Sequence, residues 1–101
     1  MTGVPPLRPA DILDVATELE RQAAEGWAKA AEMWTEAIRA YEMGLAVGQF
    51  FRSGLALKAA HERIECLRAT ARGLEREARI LRQAATAALC PPSAELVRAQ
   101  A

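Results

Sequence analysis

A 4-3 repeat of small and aliphatic residues runs through the second half of the chain and predicts one long helix. Alternating steps of three and four residues keep a narrow stripe on one side of an α-helix, which is the pattern of coiled-coil packing. Ile64, Ala71, Ala78 and Ala85 occupy heptad position a, and leucines occupy position d. Alanine at position a allows the backbones of two helices to approach closely. The complete stripe comprises Phe50, Ser53, Leu57, Ala60, Ile64, Leu67, Ala71, Leu74, Ala78, Leu81, Ala85 and Ala88.

A second 4-3 series in the first half provides a partner for this stripe. Pro9 suits the first turn of a helix, and glycines around residues 44–48 predict a turn. The next helix then extends from about residue 49 to residue 89, where Cys90-Pro91-Pro92 ends it. The fold class expected is all-α, an antiparallel helical hairpin with coiled-coil-like packing. Its first stripe comprises Ile12, Ala16, Leu19, Ala23, Gly26, Ala30, Met33, Ala37, Ala40, Gly44 and Val47.

The chain divides into three segments. Residues 1–8 are expected to form an extended, proline-rich arm and residues 9–89 a single helical domain. Residues 90–101 form a C-terminal tail, in which Ser93 can cap a short helix over residues 94–99. Gly26 leaves one question open, because a mid-helix glycine costs only about 1 kcal/mol relative to alanine. Either the first helix is continuous, or it breaks near Gly26 and gives a three-helix arrangement.

The distribution of charge supports the hairpin. Folding about Gly48 brings residue i near residue 96−i, and this register places acidic residues of the first half opposite arginines of the second. Each exposed ion pair contributes less than about 1 kcal/mol to stability. Four such pairs in one register are therefore used as a check on the alignment of the two helices, not as a source of stability. The predicted pairs are Asp14 with Arg82, Glu18 with Arg79, Glu20 with Arg76, and Glu25 with Arg72.

Composition indicates how such a hairpin becomes stable and where it works. The chain has 101 residues, of which 51% are apolar but only 5% aromatic. An alanine-rich core of this size buries little area, so we expect a homodimer that forms a helical bundle. Two cysteines do not make a disulfide framework, and neither a signal peptide nor a membrane-length apolar run is present. A cytoplasmic protein without membrane contact is expected.

A band of aromatic residues marks the first half. Trp27, Trp34 and Tyr41 are seven residues apart. They form a second apolar stripe beside the first, and one hairpin partner needs only one stripe. Tryptophan and tyrosine are frequent anchors of protein interfaces, so we expect a protein-binding surface; burial inside a three-helix bundle is the alternative. The predicted surface comprises Trp27, Ala31, Trp34, Ile38, Tyr41 and Leu45.

A stripe of arginines marks the second half. Arg68, Arg72, Arg79 and Arg82 lie within about 80° on a helix, an arrangement that suits an acidic partner or nucleic acid. Net charge is zero, and no aromatic residue interleaves with the arginines to stack on bases. Glu75 is expected to pair locally with Arg72 and Arg79. Direct contact with nucleic acid is therefore the lesser expectation.

Catalytic and metal-binding patterns are not evident. His61 and Cys66 are five residues apart and point to different faces of a helix, so a structural or surface histidine and a cysteine packed as a small apolar residue are expected. The sequence contains no glycine-rich phosphate loop and no nucleophile placed beside a base. We expect no enzyme activity and no cofactor.

The segment around the tryptophans resembles a known family. The residues Ala16, Leu19, Glu20, Gly26, Trp27, Ala30, Ala31, Trp34 and Ala37, with Arg63 and Cys66 downstream, are similar to the core of ANR (AraC negative regulator) and PerC-like small bacterial regulators. The resemblance covers roughly residues 16–67; the polar Asn-Arg-x-Trp step of these families has no clear match in residues 49–57. It implies a transcription modulator that contacts a protein such as an AraC-type or nucleoid-associated regulator.

Two other resemblances are weaker. The spacing of aromatics and alanines over residues 25–38 is similar to the second helix of tetratricopeptide and MIT-type units, but no second copy follows at 34 residues. Length and topology resemble the WXG-type hairpins of ESX secretion, but Tyr41-Glu-Met-Gly44 replaces the Trp-x-Gly of the turn. A helical adaptor, scaffold or secretion-associated hairpin is therefore the alternative function.

Overall fold

Two helices packed against each other form the protein. The computed structural model describes residues 8–89, in which α1 spans Pro9–Ala46 (38 residues) and α2 spans Phe50–Leu89 (40 residues). They run antiparallel along their whole length, and the described residues contain no strand. The predicted all-α hairpin is confirmed. The arm over residues 1–7 and the tail over residues 90–101, with its predicted short helix, lie outside the described residues.

The start of α1 follows local rules of helix initiation. Arg8 has an extended backbone, with φ −77° and ψ 152°, and Pro9 occupies the first helical turn. The backbone N–H of Arg8 donates a hydrogen bond to Asp11 Oδ2 over 3.2 Å. The Asp11 carboxylate also lies at the positive end of the helix dipole. Proline, which lacks an N–H, loses nothing at this position, so the helix begins where the sequence predicts.

The turn between the helices contains a glycine that ends α1. Gly48 has φ +80°, a left-handed conformation that residues with a Cβ rarely adopt. The N–H of Gly48 donates to the Leu45 carbonyl over 3.1 Å, and the N–H of Gln49 donates to the Gly44 carbonyl over 2.8 Å. This pair of bonds is the Schellman arrangement, which satisfies the last carbonyls of α1. The Gln49 carbonyl then accepts the first bond of α2, from Ser53.

Gly26 does not interrupt α1, so the three-helix alternative is wrong for the described residues. A Cβ placed at Gly26 would lie 3.5 Å from the Cβ of Ala71, which is an ordinary van der Waals distance. The glycine therefore lies in the interface between the helices, and the packing of α1 on α2 keeps the helix continuous.

The core of the hairpin is a row of small residues at seven-residue spacing. Position a of α2 is buried as predicted, at Ile64, Ala71, Ala78 and Ala85, and the leucines at position d are half-buried. On α1, Ala16, Ala23 and Ala30 are buried. The predicted stripes are wrong at four residues that are exposed, namely Ala40, Val47, Phe50 and Ala88. Val47 and Phe50 lie at the turn, beyond the last packed turn of the opposite helix.

The four predicted charge pairs are wrong in their partners. Arg82 bonds Glu20 instead of Asp14, with its Nε 2.9 Å from Glu20 Oε2. Glu18 and Glu25 both pair with Arg21 of their own helix. The reason is the rotation of the helices: Glu20 and Arg82 flank the seam on the same side, whereas Glu18 and Glu25 point away from α2 and find Arg21 within one helical turn.

Candidate interaction surfaces

The aromatic band lies along one flank of the seam between α1 and α2. Its large side chains, those of Trp27, Trp34, Ile38, Tyr41 and Leu45, are all half-buried, and Ala31 is exposed. The hairpin therefore covers one side of each large side chain and leaves the other side open. A two-helix body has no third element that covers the open side within the described residues.

Trp27 is held in place by two charged residues of α2. Its indole Nε1 donates a hydrogen bond to Glu75 Oε1 over 3.1 Å. The guanidinium carbon of Arg72 lies 6.0 Å from the centroid of the indole ring, within the range of a cation–π interaction. Glu75 forms no ion pair with Arg72 or Arg79 in the described part of the chain, so the predicted local pairing is wrong. The carboxylate instead fixes the orientation of a tryptophan.

Trp34 contacts α2 through His61. The two ring centroids are 5.9 Å apart and the planes are inclined by 63°, an edge-on arrangement that aromatic rings favour. His61 is exposed, as expected for a surface histidine, and its Nε2 lies 3.8 Å from Glu65 Oε1. Each tryptophan of the band therefore has a side-chain contact with α2. A side chain that is already ordered by such a contact loses less entropy when a partner binds.

The predicted arginine stripe is divided among acidic and aromatic neighbours. Arg68 donates to Glu65 over 2.6 Å, and Arg82 bonds both Glu20 and the Thr17 hydroxyl. The Arg68 hydrogen bond lowers the pKa of Glu65, and the Arg82 hydrogen bond lowers the pKa of Glu20. Arg79 lines a surface depression that also contains Glu20 and Glu75. Carboxylates thus lie between the arginines, and the positive potential of the stripe is reduced.

The end of the hairpin at the turn carries a cluster of exposed apolar side chains that sequence reasoning missed. We call this cluster the apolar tip. Phe51 is 81% exposed, and its neighbours are more than half exposed. The sequence does carry a signal: residues 43–61 contain none of the 13 acidic residues, although they include two adjacent phenylalanines. The apolar tip comprises Met43, Val47, Phe50, Phe51 and Leu55.

An open groove of about 610 Å³ lies beside the apolar tip, between the two helices. We call it the tip groove. Small residues from both helices line it, including Ala40, Gly44, Ser53 and Ala56. At Gly44 the helices come so close that an added Cβ would lie 1.7 Å from Ser53 Oγ. The charged residues that line the groove are Arg52 and Arg63, both basic.

Cys66 differs from its expected environment. The thiol belongs to an exposed residue, not to a packed apolar one, and it lines a shallow depression with Met33 and Leu67. Its position on α2 points outward beside the seam, which explains the exposure. Residues 8–89 contain no group of three or more His, Cys, Asp or Glu side chains that could hold a metal ion.

Comparisons with known proteins found no relative of this chain. No family model matches the chain, and neither the curated proteins nor the solved structures include a match. Among the described helices, neither has the length and apolar character needed to cross a lipid bilayer.

Proposed function

We propose that this chain is a small, non-enzymatic regulatory protein that modulates transcription by binding a protein partner through the aromatic band. The observation that carries the proposal is the half-covered row of Trp27, Trp34 and Tyr41 along one flank of a two-helix body. Burying the open side of such residues removes apolar area from water at about 25 cal/mol per Å². Large aromatic side chains of this kind dominate the binding energy of protein interfaces.

The class of partner is drawn from the resemblance to ANR and PerC-like regulators. Among the residues that carry this likeness, Trp27 and Trp34 belong to the band and Ala30 to the seam beneath it. A transcription regulator of the AraC type, or a nucleoid-associated protein, is therefore the proposed partner, and the cytoplasm is the proposed location. A helical adaptor or secretion-associated hairpin that uses the same band without affecting transcription is the alternative.

A second copy of the chain is the proposed partner in self-association. The seam is built mainly from alanines, which bury little area per residue, and a small core of this kind is commonly stabilised by oligomerisation. Two hairpins packed through their aromatic bands would make a four-helix bundle, and the bands would be closed to the regulator in that state. Light scattering measures this directly, because a dimer has twice the 11.0 kDa mass of the chain.

Direct binding to DNA is the rival mechanism. It requires Arg68, Arg72, Arg79 and Arg82 to contact phosphates, and three of these four already interact with Glu65, Trp27 or Glu20. Phosphate contacts would have to replace those interactions, and affinity for a duplex would fall steeply with salt.

The deciding experiment compares two variants in the host cell. Trp34→Ala is expected to abolish the change in transcript levels caused by expressing the chain. Arg68→Ala with Arg79→Ala is expected to leave it intact, because Arg72, which lies over the Trp27 ring, is kept. Circular dichroism establishes that both variants stay helical, and Ile80→Ala, which alters an exposed apolar residue of α2 outside the band, is the matched control. If the arginine variant loses the effect and Trp34→Ala keeps it, the protein binds DNA directly and the proposal fails.

A further inference from the structure

The tip groove is shaped to receive a helix. Small side chains, among them Ala40, Ala56 and Ala60, line much of it. Small residues of this kind allow the backbone of another helix to come close. The exposed side chains of Met43 and Val47 also line it and form an apolar rim. A concave floor with an apolar rim is the surface on which an amphipathic helix lays its apolar face.

Charge defines the polar side of the occupant. Arg52 and Arg63 line the groove, and neither forms an ion pair with any residue described by the structure. Residues 43–61, which include Arg52, contain no carboxylate, and no carboxylate lines the groove beside Arg63. An incoming segment with carboxylates flanking its apolar residues is therefore complementary to this end of the hairpin.

We propose that the tip groove binds an acidic amphipathic helix of a partner protein. Apolar side chains of that helix pack on the small-residue floor between Met43 and Val47, and its carboxylates pair with Arg52 and Arg63. Tyr41 of the aromatic band also lines the groove, but the two tryptophans of the band do not. The inference does not rest on the function proposed for the band.

The test measures binding of a defined probe to the full-length chain. The probe is a fluorescein-labelled 18-residue peptide with leucines at i, i+3, i+4 and i+7 spacing and glutamates on its polar face. A second peptide carries lysines in place of the glutamates. The acidic peptide is expected to bind at least about tenfold more tightly than the basic one, with an affinity that falls as salt is added.

Two pairs of matched variants assign the site. Arg52→Glu with Arg63→Glu is expected to reverse the preference between the peptides, while Arg76→Glu with Arg79→Glu makes the same change in net charge elsewhere on α2 and preserves the preference. Ala56→Trp is expected to block the groove. Ala84→Trp places the same side chain at the same heptad position 28 residues further along α2, at a residue that is also exposed, and leaves binding intact.

Several results would overturn the proposal. These are absence of binding of the acidic peptide at millimolar concentration, equal binding of both peptides, and equal effects of groove and control variants. A dimer that dissociates on Ala56→Trp would show that a second copy fills the groove. Binding to phosphatidylglycerol vesicles that Phe51→Ser abolishes, without peptide binding, would assign the tip to a lipid surface. Trp34→Ala tests the aromatic band separately, so a negative result at one surface does not contradict the proposal for the other.

Discussion

Gly26 and Gly44 both face α2, but they have different roles. At Gly26 the nearest atoms to an added Cβ are 3.5 Å away or more, so the site has room for a methyl group. At Gly44 the Oγ and Cβ of Ser53 would lie 1.7 and 2.9 Å away. Only Gly44 is required by close approach of the helices, and the spacing of glycines in the sequence does not distinguish the two.

Replacing each glycine by alanine is expected to have opposite effects on stability. Gly26→Ala gains up to about 1 kcal/mol of helix propensity without a clash. Gly44→Ala gains the same propensity but forces the helices apart at the tip, and overpacking of this kind costs about 1–3 kcal/mol. Urea denaturation followed by circular dichroism measures both changes.

A compensating substitution provides the control for Gly44→Ala. Ser53→Gly removes both atoms that the new methyl group would meet, so the double variant is expected to be more stable than Gly44→Ala alone. If the second substitution restores no stability, Ser53 is not the source of the strain.

The pair formed by Glu20 and Arg82 makes stability depend on pH. The Arg82 hydrogen bond lowers the pKa of Glu20 in the folded chain below its ordinary value of 4.5. The unfolded chain therefore binds more protons as pH falls below 4.5, and the stabilisation is present above that pH and lost as pH falls through the folded pKa. Carboxyl-detected NMR titration is expected to show Glu20 titrating low, and Arg82→Ala is expected to raise its pKa. An unchanged Glu20 titration in Arg82→Ala would contradict the pairing.

Sequence reasoning predicted the charged residues that meet across the seam less well than the apolar ones. Ala71 and Ala78 follow from periodicity alone, because residues seven apart lie on nearly the same face of a helix and this face is the one that is apolar throughout. The partner of Arg82 depends on how far each helix is rotated about its axis, and a long side chain reaches several positions on the facing helix. The predicted register, in which residue i faces residue 96−i, is therefore within one residue of the observed one at Gly26, which faces Ala71. It does not give the side-chain partners, since Arg82 bonds Glu20.

At the scale of the helices, the alanines at heptad position a set the separation of α1 and α2. Ala71 is 1% exposed and lies against Gly26 of the facing helix. The space between these two residues holds about one methyl group, so a leucine fits at position 71 only if the helices separate. The same closeness explains why the sequence uses alanine where most coiled coils use leucine or isoleucine.

Ala71→Leu is therefore expected to lower the free energy of unfolding by about 1–3 kcal/mol, although leucine is more apolar than alanine. Ala69→Leu is the matched control, because Ala69 is an exposed residue of the same helix and leucine has nearly the helix propensity of alanine. Thermal unfolding followed at 222 nm compares the two variants. A stabilised Ala71→Leu would mean that the seam has unfilled volume.

The aromatic band could be located from the sequence, but its contacts could not. Seven-residue spacing places Trp27 and Trp34 on one side of α1 beside the alanine seam. Whether an opposite helix carries partners for them depends on the flank of α2, where Glu75 and His61 contact the indoles. Spacing identifies the face of a helix; it does not identify which polar residues of a second helix meet that face.

At the scale of the whole molecule, the described hairpin leaves groups of apolar side chains open along its flank and at its tip. The turn accounts for the apolar tip, because no element that the structure describes lies beyond it to cover Val47 or Phe50. Sequence analysis placed these residues in the seam, since their spacing continues the 4-3 series. These residues were assigned to the seam wrongly because a sequence repeat does not show where the facing helix ends. A residue of the repeat is buried only where that helix packs against it.

The same geometry predicts that stability depends on protein concentration. A dimer through the aromatic band links folding to association, so the thermal midpoint is expected to rise as the chain is concentrated from micromolar to hundreds of micromolar. Ile38→Glu places a charge in the band between Trp34 and Tyr41, and it is expected to abolish this dependence. Ile80→Glu makes the same change at an exposed residue of α2 and is expected to keep it. A midpoint that stays constant over that range in the unmodified chain would show that the open side of the band is not covered by a second copy, and would leave the heterologous partner as its occupant.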